Sequence, residues 1–231
     1  MVKNKFFLLI FIYAISCNAQ QKQDWIQFVG SQNMFKKIDG YFTWDGDSTK
    51  SLYEYYFKNK NYKIKYFFPM LKDSANNNCG YFNILGNRFN IKRKFEHNIA
   101  CQLDPTYMDV YYAIFNKKKY ILITSINDGS GLTSSKVICN LFDITKTSSI
   151  KYYSLWSMFG GEQCFGDFNK DGKLDFLKIQ NWVDGKKYRS IISVMSLING
   201  SFQAEKGSRH YIIFEYNKEF KPRLLVKNWF N

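Results

Sequence analysis

Apolar and aromatic residues arrive along the chain in short runs: Tyr53 to Phe57, Tyr62 to Phe68, Tyr81 to Leu85, Tyr111 to Phe115, Tyr120 to Ile126, Val137 to Ile144, Ile191 to Ile198, Tyr211 to Tyr216 and Leu224 to Trp229. Each run mixes β-branched and aromatic residues, which suit a pleated, half-buried surface. Clusters of Asn, Gly, Asp and Ser separate the runs and supply turns. No stretch sustains a 3.6-residue period over the length of a long amphipathic helix. The pattern predicts an all-β chain with at most one short helix.

The runs also echo one another. Tyr120-Ile-Leu-Ile-Thr followed by Val137 to Ile144 matches Asp175-Phe-Leu-Lys-Ile followed by Ile191 to Ile198, at a shift of about 55 residues. A fainter copy sets Phe57 to Tyr62 against Phe115 to Tyr120, with Tyr81 to Leu85 near Asn140 to Ile144. A period of this size fits units of about four strands that bury their faces by stacking on neighbours. The expectation is a small or degenerate β-propeller-like fold of about four blades, three from these copies and a fourth assembled from both termini.

Composition adds that the chain is folded: of 231 residues, 45% are hydrophobic and 19% aromatic, which excludes disorder and collagen-like repetition. The amino terminus changes the picture more. Lys3 and Lys5 precede an apolar run from Phe6 to Ile15, too short to span a bilayer, with small and polar residues after it. That is the layout of a secretory signal peptide. Cleavage after Ala19 would remove residues 1–19. Ala14-Ile15-Ser16-Cys17 also resembles a bacterial lipoprotein box in which Cys17 becomes the acylated first residue. The product, residues 20–231, is expected to be one β-rich domain that is exported, whether secreted, periplasmic or anchored to the outer membrane as a lipoprotein.

The net charge is +14, and loss of the leader removes two lysines and no acid, so the remainder stays strongly basic. Its lysines are scattered rather than gathered in an arginine-rich run, and no nucleic-acid motif accompanies them. A solvated basic surface, or attraction to anionic glycans or an acidic envelope, is what such a distribution implies. Cys79, Cys101, Cys139 and Cys164 lie beyond the leader and permit two disulfides in any of three connectivities; pairing of sequence neighbours is expected. No CxxC spacing is present, which argues against a zinc ribbon or a thioredoxin-type redox centre.

The segment with the most chemistry is Phe165-Gly166-Asp167-Phe168-Asn169-Lys170-Asp171-Gly172-Lys173-Leu174-Asp175-Phe176. Its oxygen-bearing side chains stand at loop positions 1, 3, 5 and 9. Ca2+ takes six to eight oxygens, and Asp167, Asn169, Asp171 and Asp175 can offer side chains while the Lys173 carbonyl fills position 7. Gly172 permits the reversal that makes those oxygens converge. Three carboxylates so close in sequence repel one another without a cation. Position 12 is Lys178 rather than the glutamate of an EF-hand, and a strand pattern follows instead of a helix.

This loop, the strand Ile191 to Leu197 and the turn Asn199-Gly200-Ser201-Phe202 together resemble one FG-GAP/VCBS repeat, over about residues 165–202. The resemblance implies a calcium loop between two strands of a propeller blade, with Asp167, Asn169, Asp171 and Asp175 as side-chain ligands and Lys173 as a backbone ligand. The corresponding stretch before Tyr120 reads Asn116-Lys117-Lys118-Lys119, so at most one such site is expected.

Weaker signals carry less. Asp45-Gly46-Asp47-Ser48 and Asn127-Asp128-Gly129-Ser130-Gly131 lack the 1-3-5-9 ladder and read as hairpin turns. His97 and His210, the only histidines, show no metal or triad spacing. Glu96 and Glu162 are the candidates for an acid/base pair acting on glycans, although surface glutamate is the default. Gly160-Gly161 reads as a turn rather than a phosphate cradle. The expected function is a calcium-binding envelope module that binds a protein or glycan, with a calcium-dependent polysaccharide-acting enzyme as the alternative.

Overall fold

The computed structural model describes residues 33–44, 52–57, 64–67, 80–91, 103, 107–127, 136–158, 160–184, 187–204, 211–216 and 222–228. These residues are almost all strand, in agreement with an all-β chain. No α-helix occurs among them, and one 3-10 turn spans Gly161–Cys164. No helix among the described residues is long and apolar enough to cross a membrane. The chain divides into two compact units, one built from Met34–Asp128 and Lys136–Trp156, the other from Met1–Asn33, Gly129–Ser135 and Ser157–Asn231.

The first unit contains two antiparallel sheets. One is a meander of β2 (Gly40–Trp44), β3 (Leu52–Phe57), β4 (Ile64–Phe67), β5 (Tyr81–Ile84) and β6 (Asn87–Asn90). The other joins β1 (Lys36–Lys37) to β7 (Met108–Phe115), β8 (Lys118–Asn127), β9 (Lys136–Asp143) and β10 (Lys151–Ser157). Period-two patterning sets their facing. Along β4 and β5, Ile64, Tyr66, Phe82 and Ile84 are fully buried and alternate with half-buried Lys65, Phe67, Tyr81 and Asn83. The buried set packs into one core with Val110, Ile121, Ile123, Ile138 and Phe142 from the second sheet. Phe142 is the hinge pin of this core: its ring stacks on Tyr152 at 4.9 Å and meets the edges of Phe82 at 5.7 Å and Phe89 at 5.3 Å. Tyr120 to Ser125 on β8 and Ile138 to Phe142 on β9 are buried without alternation, so the second sheet is covered on both faces.

Burial has a measurable consequence at high pH. Tyr55 and Tyr152 have phenols pushed up to about 12, chiefly by burial; Asp109 and Asp39 add to the effect at Tyr55, and the Tyr152 hydroxyl donates to Asn140 Oδ1 at 2.8 Å. Burial, then Asp143, raises Tyr120 further. A phenol raised above its unfolded value of about 10 favours the folded state while protonated, so its contribution is whole below about pH 10 and is lost as pH rises through about 12. The tyrosinate absorbance of these residues at 295 nm is therefore expected to grow in step with loss of the near-ultraviolet dichroism. Completion of the titration with native dichroism retained would contradict this.

The second unit holds a third sheet, ordered β11 (Phe165–Gly166), β12 (Asp175–Asp184), β13 (Lys187–Ile198), β15 (Tyr211–Tyr216) and β16 (Pro222–Asn228), with β14 (Ser201–Gln203) also paired to β13. The β13–β14 hairpin closes through Asn199 and Gly200, both at positive φ, as a two-residue turn of this hand requires. Only the β2–β6 sheet is a pure meander, since β1 pairs with β7 and β13 with β15 in the other two, and none of the three closes on itself. The C-terminal strands β15 and β16 complete the third sheet, and no fourth sheet forms among the described residues. The echo seen in the sequence falls on equivalent places, since β8–β9 and β12–β13 are both adjacent antiparallel pairs.

The disulfide expectation needs correction. Cys139 and Cys164 are buried thiols, and the bond expected between them is not formed. Cys139 lies mid-strand in β9, in register with Thr124, whereas Cys164 ends the 3-10 turn of the other unit. Cys79, Cys101 and the whole amino-terminal segment with Cys17 lie outside the described residues.

Candidate metal centre

The acidic loop leaves the short strand β11 and returns as β12, and the pairing of Phe165 with Phe176 and of Gly166 with Asp175 fixes its two ends. Aromatic packing holds those ends rigidly. Phe165 and Phe176 lie 5.0 Å apart, and Phe202 from β14 sets its ring edge-on to both at 6.3 and 6.2 Å. Phe168 and Leu174 are buried within the loop itself. Thus residues 165–176 and 199–202, the two segments of the family resemblance, come together through these three rings.

All five expected site residues stand on this loop, Asp175 being the first residue of β12. Asp175 is fully buried. Its Oδ2 accepts the Phe168 N–H at 2.9 Å and the Asn169 N–H at 3.4 Å, and its Oδ1 accepts the Ser196 hydroxyl at 2.6 Å. Ser196 lies 21 residues downstream, yet register places it directly opposite Asp175. Burial pushes the Asp175 carboxyl up to about 6, against the opposing pull of these hydrogen bonds, and the nearby Asp171 charge raises it too.

The outer part of the loop is ordered by its own backbone. Asn169 Oδ1 accepts the Asp171 N–H at 3.0 Å, Asp171 Oδ1 accepts the Lys173 N–H at 2.8 Å, and Asp167 Oδ2 accepts the Gly172 N–H at 3.1 Å. Side chains that bond backbone two residues on are what Asn and Asp do in tight turns. Lys170 and Gly172 have φ of 62° and 77°, so the chain reverses twice through the left-handed region. Glycine takes that conformation freely, whereas the side chain of Lys170 does so at a cost of about 1 kcal/mol. The Lys173 ammonium sits 2.6 Å from Asp171 Oδ2. Burial raises the Asp171 carboxyl, but the bonds from Lys173 and Asn169 outweigh it and leave the group below its ordinary value.

Among the described residues, no group of three or more His, Cys, Asp or Glu side chains is arranged to hold a metal ion. In the described state the loop carboxylates accept bonds from backbone N–H groups, the Ser196 hydroxyl and the Lys173 ammonium. The remaining candidates are dispersed: Glu162 is half-buried in the 3-10 turn, while Glu96, His97, His210, residues 45–48 and residues 128–131 lie outside the described residues. Gly160 and Gly161 both have positive φ and lead into that short turn, not into a helix. Sequence reasoning missed Ser196 and the loop N–H donors, for which strand register is the only guide. No protein-family model, no curated protein and no solved structure matches the chain.

Proposed function

We propose that the chain is an exported binding module whose β-sheets stack in a small propeller-like array and whose Asp167–Asp175 loop takes calcium. The loop carries the reading. Its donors are all hard oxygens, from Asp167, Asn169, Asp171 and Asp175 with the Lys173 carbonyl, the set that suits calcium and not zinc or copper. Loop N–H groups already hold oxygens of Asp167, Asn169, Asp171 and Asp175, at the distances given above. The Lys173 ammonium on Asp171 is a stand-in cation on an exposed pair, worth about 1 kcal/mol or less, so a divalent ion displaces it at little cost. Asp175, buried and disposed to take up a proton, gains most from a neighbouring cation.

Three successive antiparallel sheets of five or six strands, none of them closed, support a blade-like reading. The positively charged leader segment supports export, through a free amino terminus after Ala19 or a lipid at Cys17. The cell surface then provides the ligand, a protein or a glycan. Calcium is structural here, adding its binding energy to the fold.

The test is thermal unfolding in excess chelator and again in calcium. For an extracellular-module affinity of about 10⁻⁴ to 10⁻³ M, roughly 10 mM calcium contributes about 1.4 to 2.7 kcal/mol. The expected rise in melting temperature is about 3 to 10 °C. Magnesium at the same concentration is expected to give less, because it demands a smaller octahedral site. Superimposable melts in chelator and calcium would reduce the loop to a hydrogen-bonded turn.

A further inference from the structure

We propose that the outer face of the first sheet, around Arg88, binds the carboxylates of an acidic polysaccharide. This rests on the reading of the chain as a binding module and names its ligand class. Because Ile64, Tyr66, Phe82 and Ile84 face the core, their neighbours Lys65, Phe67, Tyr81 and Asn83 face the other way. Register then lays out a grid across β4, β5 and β6. Phe67, Tyr81 and Asn90 form one row, and Lys65, Asn83 and Arg88 form the next.

Arg88 is exposed, yet its guanidinium is fixed. It lies 3.7 Å over the Tyr81 ring, which stacks in turn on Phe67 at 4.2 Å with planes 16° apart. Its Nε donates to Asn90 Oδ1 at 3.0 Å. The terminal amino groups of the fork have no carboxylate partner among the described residues. Arginine fills only 5 of the chain's 33 basic positions, and Arg189 shows what the residue type does here: its Nε and Nη2 both grip Glu215 Oε2, at 3.2 and 3.1 Å. Arg88 commits its Nε to Asn90 instead, which leaves the Nη1–Nη2 edge of the fork to meet an acid.

A planar fork held in place matches a planar carboxylate with two parallel bonds, a geometry lysine cannot offer. Asn83 and Asn90 stand beside it with amides suited to sugar hydroxyls, and the Tyr81 and Phe67 rings provide apolar edges for sugar C–H groups. The row of outward-facing side chains across β4, β5 and β6 suits an extended chain laid across the strands. The strongly basic charge that remains without the leader draws a polyanion from a distance, and Arg88 gives that attraction a fixed contact point.

The experiment is titration calorimetry of the full chain with oligogalacturonate, with its fully methyl-esterified form, and with vesicles containing phosphatidylglycerol. The parent protein is expected to bind the acid and not the ester. Arg88→Lys, which preserves charge and leaves an exposed position exposed, is expected to weaken binding roughly tenfold, while Lys118→Ala on an exposed hairpin changes it less than about twofold. Equal affinity in the Arg88→Lys protein, equal binding of the ester, or binding to vesicles without binding to the oligouronate would each overturn the proposal. Binding confined to a neutral glycan would also overturn it, and would leave the binding-module reading intact. Depolymerisation of the oligouronate with Arg88-dependent affinity would support the site and overturn that reading instead.

Discussion

The Asp175→Asn protein is expected to melt at the same temperature with and without calcium, and within a few degrees of the metal-free parent. Asparagine is nearly isosteric with the carboxylate it replaces. Its Oδ1 can keep the Phe168 N–H bond, and its Nδ2 can donate to the Ser196 hydroxyl, which turns from donor to acceptor. Two changes of opposite sign remain: the buried Ser196 hydroxyl loses the acceptor of its own proton, and the fold sheds a charge that burial disfavours. The metal, by contrast, loses an anionic ligand at the most desolvated position of the loop, where each charge counts most. The calcium-dependent part of the stability, about 1.4 to 2.7 kcal/mol in the parent, is expected to vanish.

The comparison with Asp171→Ala sharpens this. Asp171 is exposed, and its removal breaks its bonds to the Lys173 N–H and Nζ in addition to any metal contact. That variant is expected to lose stability in both chelator and calcium, and to lose more in calcium. Asp175→Asn separates the two effects, because its metal-independent changes act equally in chelator and in calcium and cancel in the difference between the two melts. Retention of the full calcium response by Asp175→Asn would remove Asp175 from the ligand set and with it the 1-3-5-9 reading of the loop.

Much of the fold was legible in local patterning. Runs such as Tyr81 to Leu85 and Val137 to Ile144 correspond to β5 and β9 within a residue or two, because β-branched and aromatic residues between Asn/Gly turns have few other options. The strands that escaped notice have other compositions. β6 reads Asn-Arg-Phe-Asn and packs only Phe89 inward, and β10 carries its pattern on Tyr152, Tyr153 and Trp156 beside serines. Such edge and near-edge strands obey pairing more than propensity. The loop residues were legible because side-chain oxygens at fixed spacing are a local property. Ser196 was not, since only the β12–β13 register carries it to Asp175. The Arg88 stack was hidden for the same reason: Phe67, Tyr81 and Arg88 meet across three strands, and nothing in their spacing announces it.

Phe142→Ala is expected to be the most damaging single substitution considered, at about 3 to 5 kcal/mol, the usual loss for truncating a buried phenylalanine. Phe142 is wholly buried and touches aromatic rings of both sheets in its unit: Phe82 and Phe89 from one and Tyr152 from the other. Its removal leaves a cavity lined by three large rings that are themselves anchored on separate strands, so collapse to fill it would require the sheets to approach each other. Domains of this size have about 5 to 15 kcal/mol in total, so chemical denaturation should show a large fall in midpoint. Ile114→Ala on the same sheet is the control: that side chain is 61% exposed, and a change within about 0.5 kcal/mol is expected. A double-mutant cycle between Phe142 and Phe82 decides whether the contact itself matters. An edge-to-face pair of this kind contributes about 0.5 to 1.5 kcal/mol beyond its buried area, so the two truncations should fall short of additivity by that amount. Strict additivity would mean that the two sheets are held by area alone, with Phe142 one apolar side chain among many.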